Sequence, residues 1–230
     1  MAVIPRPAAT LVIVRAGADG LEVLMLERPA RGFFGGLWVF PGGGVEPIDE
    51  TPLAAAAVSM PDGALDRKWR AAALRETVEE IGLAITSAPW DGPLVEAGEA
   101  VFDRVLAHGT TLDGRRLRLL SQWVTPEWAP SRFDVRFYLT TVTGDPPLKA
   151  QPEEVIDVAW ITPRAALSRC QRDEWAMVTP TIHHLEWLAV HATPEQAWEA
   201  AAGTQGTPVS WMASDGSEVL VQLPVTPEMS

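Results

Sequence analysis

The sequence is poor in cysteine and has no long apolar run, and each shortage excludes a class of protein. Its one cysteine, Cys170, cannot form an internal disulfide, which favours a reducing compartment. The longest apolar runs, such as Leu53–Val58, are far shorter than the roughly 20 residues that span a membrane. The first residues lack the basic and apolar regions of a secretory signal. We therefore expect a cytoplasmic protein with no membrane partner.

Positive charge is also scarce. Lys68 and Lys149 are the only lysines, and the formal net charge is −12. Nonspecific binding to nucleic acid needs clustered positive charge that displaces counterions, so we expect no nucleic-acid partner. The deficit does not argue against a small phosphorylated substrate, because bound metal ions can supply positive charge locally.

Apolar periodicity and turn residues predict strands that surround helices in an α+β domain. The first two strands form a hairpin through the turn at Gly17–Gly20. We predict strands at Ala9–Ala16, Leu21–Arg28, Leu37–Phe40, Leu117–Val124, Phe133–Val142 and Val155–Ile161. We predict helices at Leu65–Ile81, Leu94–Leu106, Thr162–Arg169, Thr181–His191 and Pro194–Ala202.

The domain organisation follows from these elements. Residues 1–203 are predicted to form one domain, which carries an irregular insertion at about 50–66 and a helical extension at about 162–203. Residues 204–230 form a tail of unknown role with one weak strand, Glu218–Leu223. The sequence leaves the oligomeric state open, including a homodimer.

The most informative stretch is the end of the first predicted helix. Glu76, Glu79 and Glu80 stand at i, i+3 and i+4, so they share one helix face. Like charges at this spacing destabilise an isolated helix by roughly 0.2–0.5 kcal/mol per pair. Hard divalent cations with oxygen ligands offset such repulsion. A solvated acidic face is the alternative for three glutamates taken alone.

The surrounding residues decide between these readings. The sequence Arg75-Glu-x-x-Glu-Glu-x-Gly82 and the preceding Phe40-Pro-Gly-Gly43 resemble the two ends of the Nudix box, the signature of a large hydrolase superfamily. The resemblance implies a Nudix-type α/β/α sandwich with a mixed sheet, here with extra C-terminal helices. It also implies an enzyme that uses Mg²⁺ or Mn²⁺ to hydrolyse a diphosphate linkage.

The box departs from the general pattern in three ways. Asp49 stands where a glutamate is usual, Thr77 replaces a bulky aliphatic residue, and residues 50–74 form a spacer much longer than the pattern's. An interrupted box resembles the subgroup that includes peroxisomal coenzyme A diphosphatases. Further stretches resemble the same subgroup: Trp38-Val-Phe-Pro-Gly-Gly43, Trp123-Val-Thr-Pro126, Arg132-Phe-Asp-Val-Arg-Phe137, and Glu154 with Trp160-Ile-Thr-Pro163.

The resemblance implies roles for individual residues. The Gly43 carbonyl and the side chains of Glu76, Glu79 and Glu80 would hold the metal, and Arg75 would orient a neighbouring glutamate. Glu76 is the first candidate for the base that takes a proton from water. Residues outside the box also compete for that role: Asp134, Glu153 and Glu154.

Three arginines are candidates for binding phosphate oxygens of the substrate: Arg28, Arg132 and Arg136. Coenzyme A or an acyl-coenzyme A is the leading substrate, cleaved to 3′,5′-ADP and a phosphopantetheine product. The alternative substrates are ADP-ribose, a dinucleotide polyphosphate or a nucleoside triphosphate. A catalytically weak domain that senses a ligand is the third hypothesis, and the complete set of glutamates argues against it.

Overall fold

The computed structural model describes residues 4–31, 35–125, 127, 131–203 and 208–210. Its strands are β1 Arg6–Gly17, β2 Gly20–Glu27, β3 Trp38–Val39, β4 Gly42–Gly44, β5 Val58–Ser59, β6 Leu112–Asp113, β7 Arg118–Val124, β8 Phe133–Thr141, β9 Asp157–Ile161 and β10 Pro208–Ser210. Its α-helices are α1 Pro52–Ala57, α2 Arg67–Ile81, α3 Glu99–Ala107, α4 Pro163–Gln171, α5 Thr179–Leu188 and α6 Pro194–Ala200. The predicted tail strand lies outside the described residues.

A mixed sheet forms the centre of the domain, with β1 as its middle strand. β1 pairs in parallel with β8 and antiparallel with β2, and β4 pairs with its first half. β9 and β3 extend the sheet beyond β2, while β7 and β10 extend it beyond β8. The predicted hairpin of β1 and β2 is confirmed, with Gly17 opposite Gly20.

Helices cover both faces of this sheet, and two hydrophobic cores result. Alternate residues of β1 point to opposite faces. Leu11 and Ile13 therefore pack with α1–α3 in one core. Val12 and Val14 pack with α4–α6 in the other core. The predicted sandwich of helix, mixed sheet and helix is confirmed. No helix in the described part of the chain has both the length and the apolar character that a membrane span requires.

The segment at 50–66 is more ordered than we predicted. α1 occupies Pro52–Ala57, where Thr51 caps the helix by accepting a hydrogen bond from the Ala54 amide at 3.2 Å. Ala54 and Ala57 are buried in the core, and β5 pairs with β6. The prediction of an irregular insertion was therefore wrong for its first half. A capped alanine helix packs closely because its side chains are small.

The starts of the helices α2 and α3 also differ from the predictions. α3 begins at Glu99 rather than at Leu94, because Gly98 has a positive φ of 60° and breaks the helix before it. α2 begins after Asp66, whose carboxylate accepts hydrogen bonds from Arg70 at 2.9 Å and from the Tyr138 hydroxyl at 2.9 Å. This buried network fixes the start of α2 to strand β8.

The C-terminal end of α2 is fixed by Gly82 and by a loop that follows β8. Gly82 has a φ of 69° and ends the helix in the left-handed conformation. Amides of the loop at Lys149 and Gln151 donate to the Ile81 and Glu80 carbonyls at 2.8 and 2.9 Å. These bonds hold the loop, which continues into Glu153 and Glu154, beside the carboxylates of α2.

Candidate active site

The glycine loop and the carboxylate helix face each other directly. β4 pairs with β1, which places Gly43 under α2. A Cβ atom at Gly43 would overlap the Glu76 carboxyl group, which would have to move to make room for it. Because Gly43 lies directly against the Glu76 side chain, the segment at 50–66 does not separate the glycine loop from the helix. The interruption of the box therefore leaves its two ends in register.

Arg75 connects most of the acidic residues of the site. It is buried, and its Nε and one terminal nitrogen donate to both oxygens of Asp49 at 2.9 and 3.0 Å. Its other terminal nitrogen donates to Glu76 at 3.0 Å and to Glu79 at 2.8 Å. Asp49 therefore holds Arg75, which in turn contacts two glutamates. Arg75 thus forms ion pairs with Glu76 and Glu79, and the orienting role that the resemblance implies for it stays a prediction.

Glu80 has a different set of partners. It is fully buried, and it accepts a hydrogen bond from the Gly42 amide at 2.9 Å. Arg28 forms an ion pair with Glu80 and also donates to the Gly42 carbonyl at 2.7 Å. Arg28 thus lies at the carboxylate cluster, where it offsets the charge of Glu80. That Arg28 also binds phosphate oxygens stays a prediction.

The pKa values of Glu76 and Glu80 are raised even though each carboxylate has an arginine partner. Burial raises the pKa of Glu76 to about 7, and the charges of Glu79 and Glu154 add to that effect while Arg75 opposes it. Burial raises the pKa of Glu80 to about 8, and the charges of Glu76 and Glu154 contribute while Arg28 opposes it. The two carboxylates therefore lose solvation that their arginine partners only partly offset.

Glu79 has a backbone partner in addition to Arg75. Its second oxygen accepts a hydrogen bond from the Gly98 amide at 2.7 Å, at the N-terminus of α3. Backbone amides at a helix N-terminus favour a negative charge. Gly98 was not singled out from the sequence. The feature of the sequence that could have identified Gly98 is its position immediately before the helix α3, where its amide can donate to a side chain of α2.

The donor set suits a hard divalent cation. Oxygen ligands from carboxylates and backbone carbonyls are those that Mg²⁺ and Mn²⁺ prefer. Across the described residues, no group of three His, Cys, Asp or Glu side chains converges on a common point as a metal site would. Glu76, Glu79 and Glu80 turn instead toward arginines and amides. The fully buried Glu80 carboxylate and the partly buried Glu76 carboxylate beside the glycine loop are the chemistry that fits a cation.

The competing candidates for a general base lie in different places. The charge of Glu154 reaches both Glu76 and Glu80, since it raises the pKa of each. Glu153 and Glu154 line a cavity of about 330 Å³ next to Glu79. Asp134 accepts a hydrogen bond from Gln122 at 2.6 Å on the sheet. Of the residues outside the box, Glu154 is the best placed.

The remaining two predicted phosphate ligands differ in their surroundings. Arg132 is buried, and its Nε donates to the Thr125 carbonyl at 2.9 Å. Arg136 lies on β8 with its guanidinium over the Trp69 ring, 3.6 Å from the ring centroid. Ala9 of β1 is the register partner of both Arg136 and Gly43, so Arg136 lies two strands from the glycine loop. Arg136 is thus better placed than Arg132 to bind a substrate.

Comparison with known proteins identifies the family. The model of the NUDIX domain matches residues 5–57. A NUDIX hydrolase from Alicyclobacillus acidocaldarius, known from its crystal structure, is 33% identical and superposes with a TM-score of 0.76. That similarity covers 90% of this chain and 99% of the other. The chain belongs to the Nudix hydrolases, a family of enzymes that cleave diphosphate linkages and generally use divalent metals.

Two curated relatives are more distant and longer. "Putative nudix hydrolase 7" of Caenorhabditis elegans is 26% identical over 193 residues, which cover 80% of this chain and 60% of the relative. "Acyl-coenzyme A diphosphatase NUDT19" of Homo sapiens is 27% identical over an alignment 236 positions long, which covers 76% of this chain and 62% of the relative. The chain therefore spans about 60% of the length of these curated relatives.

Substitution of Gly43 tests the close approach of the glycine loop to α2. We expect Gly43→Ala to displace the Glu76 carboxyl group and to lower turnover, with only a small change in stability because the atoms that must move are the end of a flexible side chain. Gly44→Ala is the matched control, because a Cβ atom there meets no atom within 4 Å. Enzyme assays and thermal melts of both variants provide the measurement. Equal behaviour of the two variants would contradict the geometry.

Proposed function

We propose that this protein uses Mg²⁺ or Mn²⁺ to hydrolyse the diphosphate linkage of coenzyme A or an acyl-coenzyme A. The observation that carries the metal-dependent hydrolysis is the fully buried Glu80 and the partly buried Glu76 beside the glycine loop, two carboxyl groups whose pKa is raised by burial. The choice of substrate is supported by the similarity to a human acyl-coenzyme A diphosphatase. The products would be 3′,5′-ADP and phosphopantetheine or its acyl derivative.

In this proposal, each active-site residue has a role in metal binding or in proton transfer. The Gly43 carbonyl, Glu76 and Glu80 would hold the cation, with Glu79 as a further ligand if it leaves Gly98. A bound cation neutralises phosphate oxygens and lowers the pKa of coordinated water. The oxygen of water forms a bond to one phosphorus, the bridging P–O bond breaks, and the bridging oxygen leaves with the other phosphate. Glu76 takes the proton of water, and Arg75 keeps its carboxylate oriented.

A substrate panel tests this proposal. Purified protein with Mg²⁺ is incubated with coenzyme A, an acyl-coenzyme A, ADP-ribose, a dinucleotide polyphosphate and a nucleoside triphosphate, and the products are separated by chromatography. We expect the highest kcat/KM for coenzyme A or its thioester, with 3′,5′-ADP as the product. Chelation of the metal should abolish the reaction. Faster cleavage of ADP-ribose than of either coenzyme A substrate would refute the choice of substrate and leave the metal-dependent chemistry intact.

A further inference from the structure

Two side chains beside the active site carry buried hydrogen-bond donors without acceptors. Among the described residues, Arg136 Nε and Trp69 Nε1 are buried and have no hydrogen-bond partner. Both atoms can only donate. A buried donor that lacks an acceptor costs free energy, so such groups are rare unless a ligand, ion or water satisfies them. The two side chains are in contact, since the Arg136 guanidinium lies over the Trp69 ring.

A second arginine–tryptophan pair in the same protein shows what a purely structural contact looks like. Arg15 lies over the Trp160 ring at 4.2 Å, and its guanidinium is paired with Glu22 and Asp145. The Trp160 indole also lacks a partner, so an unpartnered indole alone indicates little. Arg136 is the informative residue. In the part of the chain that the structure covers, its guanidinium has neither a carboxylate nor a carbonyl partner.

The position of this pair relative to the carboxylates follows from the sheet and from the helix. Arg136 and Gly43 flank Ala9 on adjacent strands, and register partners point to the same face of a sheet. Trp69 precedes Glu76 by seven residues on α2, which places both on one helix face about 10 Å apart. The sheet and α2 therefore both place the Trp69–Arg136 pair close to the active-site carboxylates. One nucleotide is long enough to reach from the carboxylates to the pair.

The charge around the pair suits an anion. The Lys68 ammonium group lies 5.0 Å from the Trp69 ring centroid and is paired with the half-exposed Glu50. The nearest carboxylate along the strand, Asp134, is engaged by Gln122. Two cations and an indole N–H thus come together in a protein whose net charge is −12. An arginine and a lysine are the side chains that bind phosphate oxygens.

We infer that Trp69, Arg136 and Lys68 form a subsite for a phosphate monoester, which the 3′-phosphate of the proposed substrate would occupy. This inference rests on the proposed function and extends it to a residue that determines specificity. Arg136 neutralises the phosphate, and Trp69 donates its indole N–H while it fixes the guanidinium by stacking. ADP-ribose carries no such phosphate, so the subsite would select nucleoside 3′,5′-bisphosphates.

The test is a calorimetric comparison of two ligands, adenosine 3′,5′-bisphosphate and 5′-AMP, in the presence of Mg²⁺. We expect wild-type protein to bind the bisphosphate about ten- to a hundredfold more tightly. Arg136→Met should abolish this preference, and Trp69→Phe should reduce it about two- to tenfold. Arg15→Met and Trp160→Phe, from the second stacked pair, should leave the preference unchanged. Circular dichroism establishes that each variant is folded.

Several outcomes would overturn the subsite. An absent preference in the wild type, or a preference that survives Trp69→Phe undiminished, would refute it even if Arg136→Met failed to fold. Equally tight binding of inorganic phosphate alone would replace it with a site for the free ion. Binding of a product does not depend on turnover. If the protein hydrolyses coenzyme A but Arg136→Met keeps the wild-type preference for the bisphosphate, only the subsite is refuted. If binding of the bisphosphate depends on Arg136 but coenzyme A is not hydrolysed, only the proposed substrate is refuted.

Discussion

Glu80→Gln should lower kcat by on the order of a hundredfold or more and leave the fold intact. Glutamine keeps the shape of the side chain, but Arg28 and the Gly42 amide donate to different Glu80 oxygens, so its single carbonyl oxygen can replace only one of those two acceptors. It removes the negative charge that would hold the cation. Steady-state kinetics at saturating substrate provide the measurement. Glu186→Gln is the matched control, because the Glu186 side chain is 56% exposed and lies on a different helix.

The same substitution should change the pH dependence of stability in metal-free protein. Because the folded pKa of Glu80 is raised to about 8, folding favours its protonated form. The stability that this group contributes is fully present below its unfolded pKa and is lost as pH rises through about 8. Metal-free wild-type protein should therefore lose more stability between about pH 5 and pH 9 than Glu80→Gln. Wild-type turnover by the variant, or parallel pH profiles, would contradict the assignment of Glu80.

Asp49→Asn should destabilise the protein by about 3 kcal/mol and also lower activity. Asp49 and Arg75 are both buried, and removing one partner of a buried ion pair leaves the other charge uncompensated. The remaining contacts of Arg75 with Glu76 and Glu79 would then have to neutralise it alone. Activity falls because Arg75 would no longer hold those carboxylates in place. Denaturant unfolding and enzyme kinetics provide the two measurements.

Asp145→Asn serves as the comparison for Asp49→Asn. Asp145 also pairs with an arginine, Arg15, but its side chain is 86% exposed. Exposed ion pairs contribute only about 0–1 kcal/mol, so this variant should be close to wild type. If the two variants lose the same stability, the buried Asp49–Arg75 pair does not have the structural importance that we assign to it.

The shared face of the three glutamates could be predicted because it depends on local chemistry. Glutamates at i, i+3 and i+4 lie on one helix face whatever precedes the helix, whereas the pairing of that face with the glycine loop followed from the resemblance to the Nudix box. The β1–β2 hairpin was equally accessible, since a turn of Gly17–Gly20 lies between two apolar runs. Both features depend on residues that are neighbours in the sequence.

Features that depend on distant residues could not be predicted in the same way. The bond between Asp49 and Arg75 crosses the interruption of the box, and nothing in the spacing shows that the two residues meet. α1 was missed because an alanine run has no apolar periodicity. Its start does carry a signal, since Thr51 precedes Pro52 just as Thr162 and Thr193 precede the prolines of α4 and α6. The Arg28–Glu80 ion pair also brings together residues far apart in the chain.

Binding of Mn²⁺ tests the central claim most directly, that the carboxylates beside Gly43 hold the catalytic cation. Electron paramagnetic resonance reports the fraction of Mn²⁺ that remains free as the ion is titrated into the protein. We predict that wild-type protein depletes the free signal, that Glu76→Gln and Glu80→Gln weaken binding by on the order of tenfold to a hundredfold, and that Glu186→Gln binds like wild type. Equal binding by wild type and both active-site variants would show that the cation, if one is used, is held elsewhere.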